Sequence, residues 1–128
     1  MRLLLDTHIL LWALTDPEKL SKPAQRAIAD GHNELYLSAA SAWEVATKYR
    51  IGKLPGAQAL VRGYSDHVQR LGAIELPVSA HHALAAGQLS WDHRDPFDRM
   101  LAAQAMLESL TLVTVDQVFT GLGGLRML

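Results

Sequence analysis

Short apolar runs alternate along this chain with longer stretches whose apolar positions recur every three or four residues. Leu3-Leu4-Leu5 is apolar throughout, which reads as a short strand buried on both faces. Leu35 to Ser38, Ile74-Glu75-Leu76-Pro77 and Leu112 to Val115 read as three more short strands. The first helical pattern runs from Thr7, a potential cap, to Leu14, and Thr15-Asp16-Pro17 breaks it. A second starts at Ser21 and Pro23 and ends near Gly31. A third covers Ala42 to Ile51, opened by Ser41 and closed by Gly52. The spacing predicts a fourth helix over Ala57 to Leu71, with Gly72 as its stop. Ser79 caps a pattern over His81 to Gly87, and Pro96 to Leu110 is rich in Ala, Leu, Met and Gln. Gly121, Gly123 and Gly124 interrupt the tail, and Leu125 to Leu128 is expected as a last short strand.

Strands therefore alternate with helices from end to end. That order predicts an α/β fold in which a mainly parallel central sheet lies between helical layers. No linker, repeat or low-complexity stretch divides the 128 residues, so a single domain over 1–128 is expected.

Composition narrows the chemistry. The chain is 49% apolar and 20% charged, as in an ordinary soluble globular protein. It has no cysteine, which excludes a disulfide framework, a thiol nucleophile and a cysteine zinc site. A secretory leader is not expected, and no stretch approaches the roughly 20 apolar residues of a membrane span, so the expected location is the cytoplasm. The formal net charge is -1, so any contact with a phosphate backbone must come from a local basic patch.

Four acids stand where a strand-like run gives way to a helix-like one. They are Asp6, Glu44, Asp98 and Asp116. Each has a purely structural explanation. Asp6 and Asp116 suit helix caps. Glu44 follows Ser41 by three residues, the spacing of a capping box. Asp95-Pro96 reads as a cap followed by proline in the first turn, with Asp98 where an acid suits the helix dipole. Collectively they mean more. In an open α/β sheet the strands' carboxyl ends gather at one edge, where ligands bind. Two carboxylates roughly 4 Å apart repel by about 4 kcal/mol at an effective dielectric of 20. A helix dipole offsets only about 0.3–1 kcal/mol. Raised pKa values, a basic partner or a cation must meet the remainder, and an oxygen-rich site suits Mg2+ or Mn2+.

Four blocks carry a family resemblance: Leu5-Asp6-Thr7-His8, Ser41 to Lys48, His93 to Ala105 (which contains Asp95-Pro96-Phe97-Asp98-Arg99), and Leu112 to Asp116. In order and spacing they resemble a PIN domain, and more narrowly the VapC toxins of bacterial type II toxin–antitoxin pairs. The resemblance implies a three-layer α/β/α PIN-like domain. It also implies a Mg2+-dependent endoribonuclease, with Mn2+ as a substitute, and Asp6, Glu44, Asp98 and Asp116 as the catalytic and metal-holding acids. Asp6 and Asp98 would be the primary ligands. It further implies an RNA substrate cut to leave a 5′-phosphate and a 3′-hydroxyl, a cognate antitoxin protein and a homodimer. Asp95 is an additional acid, read here as a helix cap.

Other residues receive lesser roles. Thr7 and Ser38 are read first as capping groups and second as partners of the ligands. Arg99 is read as a surface charge or as the partner of an acid or phosphate. Lys48, Tyr49, Arg50 and Lys53 form a basic cluster, with an intrahelical Glu44–Lys48 pair as the alternative to RNA contact. Trp12 and Trp43 are expected in packing. The histidines lack the helical spacing of a zinc site, and His8 is assigned no catalytic role. A receiver-like regulatory domain also gathers acids at strand ends, but it wants an acidic pair after the first strand and a late lysine. Asp6-Thr7 and the absence of any lysine beyond Lys53 disfavour it.

Overall fold

Leu3, Leu4 and Leu5 have no exposed surface and occupy the centre of the molecule. The structure is a computed structural model that describes residues 1–128. These leucines form β1 (Arg2–Leu5), which pairs in parallel with β2 (Glu34–Ser38) on one side and β4 (Thr111–Val113) on the other. β3 (Ile74–Leu76) pairs in parallel with β2, giving the order β3-β2-β1-β4. The pleat sends alternate side chains to opposite faces. Leu3, Leu5, Leu35, Leu37 and Val113 accordingly join one core, and Leu4 and Leu112 join another. The first core is completed by α1 (Thr7–Thr15), α2 (Lys22–Ala29), α3 (Ala39–Arg50), α4 (Gln58–Arg62) and α5 (Tyr64–Leu71). In the second, Leu101, Ala102 and Ala105 of α7 (Pro96–Leu107) pack with Phe119, and α6 (Ala80–Gln88) lies against α7. The result is the expected α/β/α arrangement. No helix is long and apolar enough to cross a membrane.

The boundaries depart most from the sequence reading in three places. Ser38, not Ser41, caps α3: its hydroxyl accepts the Ala40 amide at 3.0 Å. The helix starts three residues early because Ala39 and Ala40 are strong helix formers beside a good cap. The expected Ser41–Glu44 capping box is therefore absent, and Glu44 lies in the second turn. The stretch from Ala57 to Leu71 is not one helix. It breaks at Gly63, where glycine costs a helix about 1 kcal/mol, and closes at Gly72 in the left-handed conformation (φ 72°). The last strand shrinks to a bridge between Leu112 and Met127, bounded by hydrogen bonds of Leu112 to Arg126 and Leu128.

β1 is central and its two neighbours are reached in opposite directions. The strand order thus reverses between β1 and β4, where an open parallel sheet leaves a crevice outside its carboxyl ends. Asp6 follows β1 and Thr114 follows β4, so both stand at that crevice.

Candidate active site

Asp6 takes the position of an N-cap but does not act as one. Its side chain makes no capping bond to α1, and the residue is only 6% exposed. Thr114 Oγ1 instead donates to Asp6 Oδ2 at 2.6 Å, a contact set by the register that pairs Leu5 with Val113. Burial raises the pKa of Asp6 and the charge of Glu44 adds to the rise, while the Thr114 hydrogen bond works against it.

Glu44, also buried, reaches toward the same crevice from α3. Thr7 Oγ1 donates to Glu44 Oε1 at 2.6 Å, and Ser41 Oγ lies 3.2 Å from the Thr7 hydroxyl. Lys48, one turn along α3, donates to Glu44 Oε2. Burial alone would lower the Lys48 pKa. The hydrogen bond and charge of Glu44, with Asp95 and Asp98 behind it, raise it on balance. Lys48 is thus the basic partner that three converging carboxylates require, and the i,i+4 reading of the Glu44–Lys48 pair is the one the structure adopts.

Asp98 enters from the first turn of α7. Asp95 caps that helix as expected, accepting the amides of Phe97 at 2.8 Å and Asp98 at 3.1 Å. Asp98 Oδ2 lies 2.7 Å from His93 Nε2, and its other oxygen has no hydrogen-bond partner. Burial pushes the Asp98 carboxyl up to about 6; the His93 contact opposes this, and the charges of Asp95, Asp6 and Glu44 add to it. The charge of Glu44 thus reaches Asp6, and the charges of Asp6 and Glu44 reach Asp98, although the three do not bring their oxygens within 4.8 Å of one another. Asp116 stands at the rim. It is exposed, its side chain accepts the Val118 amide at 3.0 Å, and its own amide donates to Thr114 Oγ1, the hydroxyl that holds Asp6.

Four features escaped the sequence reading. His93, set aside for want of zinc spacing, forms with Asp95 and Asp98 a trio whose potential ligand atoms lie within 4.8 Å of one another. Its sequence signals were its place five residues before Asp98 and at the head of the third block of the family resemblance. Thr114 left no such signal, because the sequence reading put it inside the fourth strand, which in fact ends at Val113. Arg99 is neither a free surface charge nor paired with an acid. Its guanidinium donates to the carbonyls of Ala86, Trp91, His93 and Leu89 at 2.8–3.0 Å and of Gly87 at 3.4 Å, pinning the segment that carries His93. Trp43, expected in packing, is 62% exposed and meets Phe97 edge-on at 4.7 Å. The two rings border a mostly apolar groove of about 440 Å³.

A small α/β/α domain with a parallel sheet and buried acids at the strand ends defines a class, and the sequence assigns the chain to it. The PIN domain family profile matches residues 3–125, and the chain belongs to that family. Ribonuclease VapC22 of Mycobacterium tuberculosis (strain ATCC 25618 / H37Rv) is 29% identical to it over 117 residues, 89% of this chain and 86% of that protein. Ribonuclease VapC16 of the same organism is 42% identical over 59 residues, 46% of this chain and 40% of that protein, so this match spans less than half of the relative's length. Among solved structures, the chain resembles one in VapBC2 from Rickettsia felis bound to a DNA fragment from their promoter. The TM-score is 0.73 at 19% identity, covering 100% of this chain and 98% of that one. That likeness establishes the fold.

Proposed function

We propose that the protein is a Mg2+-dependent endoribonuclease, the toxin of a type II toxin–antitoxin pair. The observation that supports this reading is that the charge of Glu44 reaches Asp6 and the charges of both reach Asp98, beside the carboxyl ends of the strands of a PIN domain, with Asp6 and Asp98 reluctant to ionise. The donor set suits a hard divalent ion. It is rich in oxygen, and one Asp98 oxygen is uncommitted. Asp6, Glu44 and Asp98 would hold the ion, with Asp116 completing the set from the rim, and Mn2+ would substitute for Mg2+. When bound, such an ion supplies Lewis acidity toward a phosphate oxygen and acidifies an attacking water.

The chain's own residues do the rest. Thr114 and Thr7 orient Asp6 and Glu44, as hydrogen bonds behind a ligand commonly do. Arg99 fixes the segment that presents His93 to Asp98. Lys48 balances the carboxylates when no cation does. Cleavage would leave a 5′-phosphate and a 3′-hydroxyl. The antitoxin is the proposed occupant of the groove beside Trp43 and Phe97, because its lining is mostly apolar and includes the exposed Trp43 ring, which suits an apolar peptide segment. A cytoplasmic homodimer completes the reading.

The test is RNA cleavage by purified protein with Mg2+, with chelator, and by Asp98→Asn. Cutting should require both the metal and Asp98. Mapping RNA ends after brief expression in a host would then name the substrate. Equal cutting by the intact and substituted proteins would remove Asp98 from the mechanism.

A further inference from the structure

A second groove, of about 280 Å³, lies between α1, the turn at Pro17–Lys19 and the segment after α3. We propose that it is a subsite for one unstacked base and the adjoining phosphates of single-stranded RNA. The proposal rests on the endoribonuclease reading and adds where the substrate is gripped.

Placement argues first. His8 and Trp12 share a face of α1, with ring centroids 5.9 Å apart. The helix begins directly after Asp6, and at 1.5 Å per residue Trp12 lies about 9 Å along its axis from that acid. A strand of RNA crossing the acidic crevice along α1 would meet this groove next.

Charge argues second. The chain has a net charge of -1 and the crevice is acidic, so a polyanion must be drawn in by local cations. Lys48 is occupied by Glu44. Lys19 and Lys53 border the groove and are exposed. Lys53 forms no ion pair, and Lys19 has only a 4.0 Å contact with solvent-exposed Asp16. Two lysines around an aromatic floor combine the elements that bind single strands: cations for the backbone and a ring on which a base stacks. The groove lies just under the roughly 300–1,000 Å³ of sites for drug-sized ligands, which suits a single base. Its basic rim also distinguishes it from the apolar groove at Trp43, which has the character of a peptide site.

The experiment uses full-length Asp98→Asn protein, to keep RNA intact, and a fluorescein-labelled single-stranded RNA of mixed sequence. Anisotropy is read across a salt series. Lys19→Gln and Lys53→Gln should each lower the slope of log affinity against log salt by about 0.7. Trp12→Leu should weaken binding about tenfold. Because Trp12 also packs against the core, a second measurement leaves it intact: 5-iodouridine RNA should photo-crosslink to Trp12. Unchanged affinity in both lysine variants, with crosslinks elsewhere, would overturn the subsite while leaving the nuclease reading in place. Failure of the Asp98→Asn parent to bind any RNA would likewise overturn the subsite, whereas the nuclease reading falls only if the intact protein with Mg2+ cuts no RNA. A polyglutamate peptide that displaced RNA at equal concentration would reassign the groove to an acidic protein partner.

Discussion

Asp6 and Asp95 hold the same formal position, each the residue before a helix, and they behave in opposite ways. Asp95 uses one oxygen on two amides of α7 and is an ordinary cap. Asp6 makes no capping bond, is buried, and is held from across the sheet by Thr114. Forgoing a cap costs about 1 kcal/mol, and burying a carboxylate costs more. A folded chain tolerates that expense where the group has another use. The contrast teaches that a carboxylate's availability depends on where its lone pairs go, not on its place in a motif.

The largest effect should come from removing the charge at the withheld acids. Asp6→Asn and Asp98→Asn should each lower RNA cleavage at saturating Mg2+ by about 100-fold or more, the scale seen when one aligned electrostatic group is lost. Asp95→Asn should stay within about twofold, since asparagine caps as well as aspartate does. A large loss there would enrol Asp95 in the metal site and erase the contrast. Next comes the group that holds Asp6 away from its helix. Thr114→Val should cost about 10–100-fold in metal affinity, read by calorimetry, as for other hydrogen bonds behind a ligand. Asp95→Ala should then lower stability by about 1 kcal/mol in chemical denaturation, through the lost cap alone.

The smallest effect concerns pH. Asp98 titrates at about 6 in the folded protein, above its unfolded value, and Asp6 is shifted the same way. Between about pH 4 and pH 6 the folded state therefore binds more protons than the unfolded chain, and this contribution to stability grows as pH falls through that window. In chelator, the melting temperature at about pH 5 relative to about pH 7.5 should be higher for the wild type than for Asp98→Asn, by a few degrees. An identical pH response in the two proteins would mean that Asp98 ionises normally.

Much of this was legible in the residues. The apolar run Leu3–Leu5 declared a strand buried on both faces, and the alternation of strands and helices declared a mainly parallel sheet, though not which strands would flank it. Asp95-Pro96 announced the start of α7 and put Asp98 in its first turn. The Glu44–Lys48 spacing held the ion pair. Local spacing misled at Ser41, because two alanines let α3 begin at Ser38 instead, and at Gly63, which splits a pattern that reads as continuous. What stayed hidden was long-range. Thr114 and Asp6 are 108 residues apart and meet only through strand register. Arg99 looked like a surface cation because its partners are backbone carbonyls, which leave no mark in the sequence. His93 was missed for a related reason: its partner is set by a loop held in place by those same carbonyls.

The account depends most on Asp6, Glu44 and Asp98 acting as one cation site, and calorimetric titration of the purified protein with Mg2+ and Mn2+ at about pH 7.5 tests it directly. Saturable binding is predicted for the wild type, near-complete loss in Asp6→Asn and Asp98→Asn, and retention in Asp95→Asn. Equal binding by all four proteins, or none by the wild type, would contradict it.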